Sequence, residues 1–163
     1  MRETPQIMKS RVLFICTGNY YRSRFAEAVF NHQAEALDLP WEAFSRGLAI
    51  HLLPPEFVLS PQTEEHLSLR QIELRHTAST RAQVSEQDLL SADVIVALKE
   101  DEHRPMIRKS FPAWEGRIIF WDVGDQPEVR PEDSLPEIEK QVISLIEEIT
   151  GTDLTALSWG RAA

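Results

Sequence analysis

The chain holds one cysteine, and after five intervening residues stand an arginine and then a serine: Cys16-Thr17-Gly18-Asn19-Tyr20-Tyr21-Arg22-Ser23. Four apolar residues, Val12 to Ile15, lead directly into this run, as in a short strand buried on both faces. After it, Phe25, Ala26, Val29, Phe30 and Leu37 recur at three- and four-residue spacing, with Arg24, Glu27, Asn31 and Glu35 between them, which predicts an amphipathic helix. The run is therefore a turn from strand to helix. At that junction the backbone N–H groups and the positive end of the helix dipole converge on one point and favour an anion. The same field stabilises a thiolate, the nucleophilic form of Cys16. Arg22 offers a planar fork for two phosphoryl oxygens, Arg24 lies close enough in sequence to add charge, and Gly18 permits close backbone approach. Asn19 suits a left-handed turn that most residues resist. A small hydrophobe ending a buried strand is the simpler reading of a free cysteine, but it leaves Gly18, Arg22 and Ser23 unexplained.

The rest of the chain alternates in the same way. Trp41 to Ser45, Val94 to Leu98 and Ile118 to Trp121 are expected as strands. Thr63 to Leu74, a short segment capped by Ser85 and Asp88, Glu100 to Lys109, and a segment marked by Leu135, Ile138, Val142, Leu145, Ile146 and Ile149 are expected as helices. Pro105 must kink its helix or lie in its first turn, and Pro136 is tolerated near a helix start. Strands alternating with helices imply an α/β fold: one open, parallel, four-stranded sheet with helices on both faces, joined by right-handed crossovers. Its ligand site belongs at the carboxyl ends of the strands. A length of 163 residues fits one domain. Residues 1–10 are expected as a flexible N-terminal segment, 11–150 as the domain and 151–163 as a tail.

Composition narrows the partners. A formal net charge of −9 argues against nucleic acid or an anionic membrane. No apolar stretch reaches membrane-spanning length, and the polar start does not read as a secretory signal. One cysteine forms no internal disulfide, which suits a reducing cytoplasm, the expected location. The same negative charge opposes phosphorylated substrates, so a local positive site must outweigh it. His32, His51, His66 and His103 show no paired metal-ligand spacing, so neither metal nor cofactor is expected.

The loop resembles that of the low-molecular-weight protein tyrosine phosphatase family, C-x-G-N-x-x-R-S, and further stretches resemble the family in the same order. These are Ser45-Arg46-Gly47, the segment from His76 to Arg81, Ala92-Asp93-Val94-Ile95 with the acidic run to His103-Arg104, and Trp121-Asp122-Val123-Gly124-Asp125-Gln126-Pro127. The resemblance implies a flavodoxin-like fold and a protein tyrosine phosphatase acting on phosphotyrosine proteins or small aryl phosphates. In that mechanism Cys16 forms a cysteinyl-phosphate, while Arg22 and the loop residues Thr17, Gly18, Asn19, Tyr20, Tyr21 and Ser23 bind the phosphoryl oxygens. Asp125 is the general acid, with Asp122 as its competitor. Asn19, Ser45 and His76 brace the loop, and Ser23 supports the thiolate.

Three departures from the family pattern stand out. The acid stretch reads Asp125-Gln126-Pro127 where the family has Asp-Pro, and Glu128-Val129 replaces a frequent aromatic pair. Tyr21 stands where a second cysteine is common, which removes one route of reversible protection by a disulfide. Pro54-Pro55 makes the segment from His51 to Phe57, the expected second wall, unlike the usual one. Tyr20 and Tyr21 suggest an aromatic mouth; packing beneath the loop is their alternative. Two other functions fit the same residues: arsenate reduction with a small-molecule thiol, and a phosphate- or phosphotyrosine-binding module with little turnover.

Overall fold

The computed structural model describes residues 8–154. Four strands, β1 (Ser10–Cys16), β2 (Trp41–Gly47), β3 (Val94–Ala97) and β4 (Ile119–Phe120), form one sheet in the order β2-β1-β3-β4. All three pairings are parallel. Helix α1 (Arg22–Ala36) links β1 to β2, α2 (Pro61–Leu69) and α3 (Glu86–Ser91) lie between β2 and β3, α4 (Glu100–Ser110) links β3 to β4, and α5 (Pro131–Thr150) follows. This is the single-domain α/β architecture expected from the alternation of elements. No helix among the described residues is long and apolar enough to cross a membrane.

β1 is central, hydrogen-bonded to β2 on one side and β3 on the other. Its side chains divide between two cores. Val12, Phe14 and Cys16 pack with Phe25 and Val29 of α1 and Leu135, Ile138 and Val142 of α5. Leu13 and Ile15 pack on the other face with Leu89 of α3 and Ile107 of α4. That is why the strand is continuously apolar instead of alternating. Each such Leu, Ile or Phe contributes about 1.5–3 kcal/mol by leaving water, whereas an exposed ion pair such as Arg75 with Glu35 is screened by solvent and adds little. Burial therefore fixes the sheet.

The element bounds differ from the sequence reading where local hydrogen bonding overrides periodicity. β2 extends past Ser45 because Arg46 and Gly47 pair with Ile15 and Cys16. The helix expected over Thr63 to Leu74 is displaced to Pro61–Leu69. Ser60 caps it by accepting from the N–H groups of Gln62 and Thr63, and Pro61 suits the first turn. It stops where Gln71 turns left-handed at φ 56° and the Ile72 N–H donates to the Leu67 carbonyl, which carries Ile72 back into the core. β3 and β4 are shorter than expected, and α4 runs through Pro105 with the proline inside it. At α3 the expected cap is present, with Ser85 and Asp88 bonded reciprocally. Beyond α5, Leu154 is buried and its N–H donates to the Glu147 carboxylate at 2.7 Å. Residues 1–7 and 155–163 of the expected terminal segments lie outside the described residues.

The carboxyl end of the sheet is packed tightly enough to shape the loop after β1. A Cβ on Gly47, the last residue of β2, would stand 2.7 Å from the Thr17 carbonyl oxygen and 2.9 Å from the Asn19 nitrogen. Both are backbone atoms of the loop, so neither yields cheaply. Gly47→Ala is expected to lower stability by about 1–3 kcal/mol in a urea titration and to weaken inorganic phosphate binding, read by isothermal calorimetry. Unchanged values for both would show that the two segments are not in register.

Candidate active site

The loop after β1 begins at Thr17 and enters α1 at Arg22, and the helix opens without a side-chain cap. Its first N–H groups have no partner of their own within the helix. Asn19 sits at φ 52°, the left-handed conformation expected of it. Cys16 is buried at the base, and beside it opens a cavity of 220 Å³ lined by Gly18, Tyr20, Arg22, Leu53 and Asp125 among others.

A buried polar chain runs behind the thiol. The Ser23 hydroxyl lies 2.9 Å from the Cys16 sulfur. Asn19 Nδ2 donates to Ser23 at 3.0 Å and to Ser45 at 2.9 Å, while its Oδ1 accepts from the Ala82 N–H at 2.9 Å. Both amide hydrogens and the amide oxygen are thus used, and Ser23, which accepts from Asn19 and from the Cys16 thiol, keeps its own hydroxyl proton available to a thiolate. Ser45 in turn donates to the Glu27 carboxylate at 2.8 Å, and Thr77 donates to the same oxygen at 2.8 Å. Arg24 donates to Thr77 at 2.7 Å and to the carbonyls of Asn19, Val58 and Ala78. Burial pushes the Glu27 carboxyl up, against the hydrogen bonds from Ser45 and Thr77. Burial pushes Arg24 down.

The sequence reading placed His76 in this brace, and the structure places it elsewhere. Its ring packs edge-on against His32 at 5.7 Å, and its carbonyl accepts from Asn31. The 3₁₀ turn at Leu74–His76 points the imidazole away, and the next residue, Thr77, takes the position in the chain. Arg24, read as added positive charge at the loop, is instead buried and consumed by backbone carbonyls.

Arg22 is held from three sides. Its Nη1 donates to Glu102 at 3.2 Å and to the Val123 carbonyl at 3.0 Å. Its Nη2 donates to Glu102 at 2.7 Å and to Asp125 at 3.3 Å. Glu102 also accepts from the Thr17 hydroxyl. The His103 ring completes the cluster: the Lys99 N–H donates to Nδ1 at 3.0 Å, so the ring proton belongs on Nε2, which faces Thr17 and Glu102 at 3.1 Å each. Burial opposes the Glu102 charge, but hydrogen bonds from His103 and Arg22 outweigh it and hold this carboxyl far below the usual carboxylate range. For His103 burial prevails and the ring is pushed down, toward neutrality. Glu102 was not singled out from the sequence. It meets Arg22 across 80 positions, and its only signal was membership of the acidic run before His103.

The two competing aspartates separate cleanly. Asp125 lines the cavity, with Oδ1 accepting from the Gln126 N–H at 2.8 Å and Oδ2 facing Arg22. Asp122 is 82% exposed at its side chain and pairs with Lys99 at 2.7 Å. The peptide between Gln126 and Pro127 is cis. The tyrosines separate too. Tyr21 is buried, with its hydroxyl 2.8 Å from that of Ser134 on α5, and Tyr20 alone stacks at the mouth, on Phe57 at 6.0 Å. The aromatic mouth is therefore Tyr20 with Phe57, while Tyr21 fastens the loop to α5.

The family model for low molecular weight phosphotyrosine protein phosphatase matches residues 11–123. A protein-arginine-phosphatase from Bacillus subtilis (strain 168) is 30% identical over 108 residues, 66% of this chain and 67% of that protein. The crystal structure of a low molecular weight protein tyrosine phosphatase from T. tengcongensis matches with TM-score 0.73 at 28% identity, over 86% of this chain and 99% of that one. The YwlE arginine phosphatase from Geobacillus stearothermophilus matches with TM-score 0.70 at 24% identity, over 87% and 94%. That last likeness bears on the fold alone.

Glu102→Gln removes one partner of a largely buried pair and is expected to cost about 1–3 kcal/mol at pH 7 in a denaturant titration. Because the folded carboxyl titrates lower than an unfolded one, its contribution is present above the unfolded value, about 4.3, and is lost as pH falls further. The gap between wild type and variant should accordingly narrow below about pH 4. A gap that widens in acid would contradict the charge assignment.

Proposed function

The chain belongs to the low molecular weight phosphotyrosine protein phosphatase family, and we propose that it hydrolyses phosphotyrosine or related aryl phosphate monoesters through a cysteinyl-phosphate, with residues 11–150 as the working unit. The observation that carries this reading is one cavity onto which the Cys16 sulfur, the Arg22 guanidinium and the Asp125 carboxyl all open. In the first step the Cys16 thiolate attacks phosphorus; the S–P bond forms as the P–O bond to the leaving group breaks. Loop N–H groups from Thr17 to Arg22 and the Arg22 side chain stabilise the equatorial oxygens, as preorganised donors do. Ser23 donates to the sulfur while it is charged.

Arg22 also accounts for a role of Asp125 beyond proximity. The four hydrogens on its Nη atoms meet Glu102, Val123 and Asp125 before any substrate enters. The Asp125 contact is the longest of the four and the one that faces the cavity, so it is the contact a phosphoryl oxygen displaces. Released from Arg22, the carboxylate takes up a proton from solvent, turns to the bridging oxygen, donates that proton to the departing group, and takes one back from the water that cleaves the S–P bond. The stacked rings of Tyr20 and Phe57 give the entrance an apolar wall suited to an aryl group. A second reading, hydrolysis of phosphoarginine, is favoured by the 30%-identical relative that is a protein-arginine-phosphatase.

Hydrolysis of para-nitrophenyl phosphate, a phosphotyrosine peptide and a phosphoarginine peptide by wild type and three variants tests this. Cys16→Ser should abolish turnover of all three. Asp125→Ala should slow the phosphotyrosine peptide by about 100- to 10,000-fold and the nitrophenyl ester less, since nitrophenolate leaves without a proton. Asp122→Ala should change neither appreciably. Preference for the phosphoarginine peptide would transfer the assignment to the second reading. Binding without turnover would identify a phosphate-binding module, and thiol-dependent turnover of arsenate a reductase.

A further inference from the structure

Next to the phosphate cavity lies a second, larger one of 520 Å³, lined by Ile50, Leu53, Pro55 and Val58 together with His51, Thr80 and Arg81. The two are adjacent, and Leu53 lines both. Leu53 sits there because Gly18 has no side chain: a Cβ at that position would be 2.8 Å from Leu53 Cδ1. The second cavity is not a slack loop. Arg81 donates to the carbonyls of Gly18, Ile50, Leu53 and Pro54, clipping the wall to the phosphate loop itself. With the wall's carbonyls and the Arg81 fork bonded to each other, what remains for a visitor is mostly carbon.

The same segment concentrates exposed apolar side chains: Leu52 is 64% exposed, Phe57 45% and Val58 42%. Such a cluster beside a ligand cavity marks a contact surface more often than chance. No carboxylate lines the cavity, in a chain whose net charge is −9. We infer that this groove is a subsite for one apolar side chain, of leucine, isoleucine or phenylalanine type, borne by the residue adjacent to the phosphorylated one in a polypeptide substrate. The inference rests on the phosphatase reading above. Its occupant follows from adjacency: a phosphoryl group seated on Cys16 leaves the neighbouring residue of the same chain at the shared Leu53 rim, where an aliphatic side chain is desolvated.

The test compares phosphotyrosine peptides carrying Leu, Ala or Asp immediately before or after the phosphotyrosine, with para-nitrophenyl phosphate as the flank-free control. Leu at one of the two positions should raise kcat/KM about tenfold over Ala and also exceed Asp, and an Asp peptide that exceeds the Leu peptide would overturn the apolar assignment. Val58→Asp, outside the phosphate cavity, should erase that preference while leaving nitrophenyl phosphate turnover unchanged. Equal kcat/KM for the Leu and Ala peptides would overturn the subsite and leave the phosphatase reading standing. So would a Val58→Asp variant that keeps the Leu preference. If wild type turns over none of these substrates, the phosphatase reading fails by itself. Peptide affinities for wild type and Cys16→Ser, by fluorescence anisotropy, then decide the subsite: tighter binding of the Leu peptide supports it, and equal binding of Leu and Ala peptides overturns it.

Discussion

Asn19 is the residue on which the site's geometry turns. Its left-handed backbone reverses the chain between strand and helix, and its side-chain amide spends each of its hydrogens on a buried hydroxyl. Unpaired polar groups at that depth cost about 1–3 kcal/mol each, so the conformation is stable only because Ser23, Ser45 and the Ala82 N–H are all in place. From Arg24 through Thr77 to Glu27, and from Asn19 through Ser45 to the same carboxylate, every donor points one way. Glu27 is the common sink. That directionality fixes the hydroxyl rotors of Ser45 and Thr77.

In a chain of net charge −9, the acidic side chains around the loop are segregated by their partners. Glu102 and Asp125 lie against Arg22, and Glu27 lies at the far end of the brace, so each carboxylate near the loop is already engaged by donors. The pairing has a second effect. A lone buried guanidinium on four methylene-length bonds would sample many rotamers, whereas one gripped by Glu102 and the Val123 carbonyl presents its remaining edge in a single plane.

How much of this was legible depended on how local the cause was. The loop was, because sulfur, glycine, asparagine and arginine at fixed spacing leave few other readings. The sheet was, because β1 is apolar on both faces. Asp125 over Asp122 was indicated by order alone, and the structure separates them by a contact to Arg22 and a contact to Lys99. His76 was misplaced by one residue: the histidine is the more eye-catching side chain, but a 3₁₀ turn delivers Thr77. Glu102 was invisible because its partner is 80 positions away. The end of α2 was missed because Leu74 continued the helical pattern after Gln71 had already reversed the chain.

The central position of β1 has a kinetic meaning for Cys16. Cys16 is the last residue of a strand paired on both sides and packed in two cores, and Tyr21, at the loop's other end, is joined to α5. Local fraying cannot release such a segment, since its hydrogen bonds break only when the sheet itself opens. Amide exchange along this strand should therefore follow global unfolding, so the backbone that carries the thiol keeps its place as long as the domain stays folded. A destabilising change anywhere in the protein then reduces the number of competent molecules while leaving each survivor's site intact.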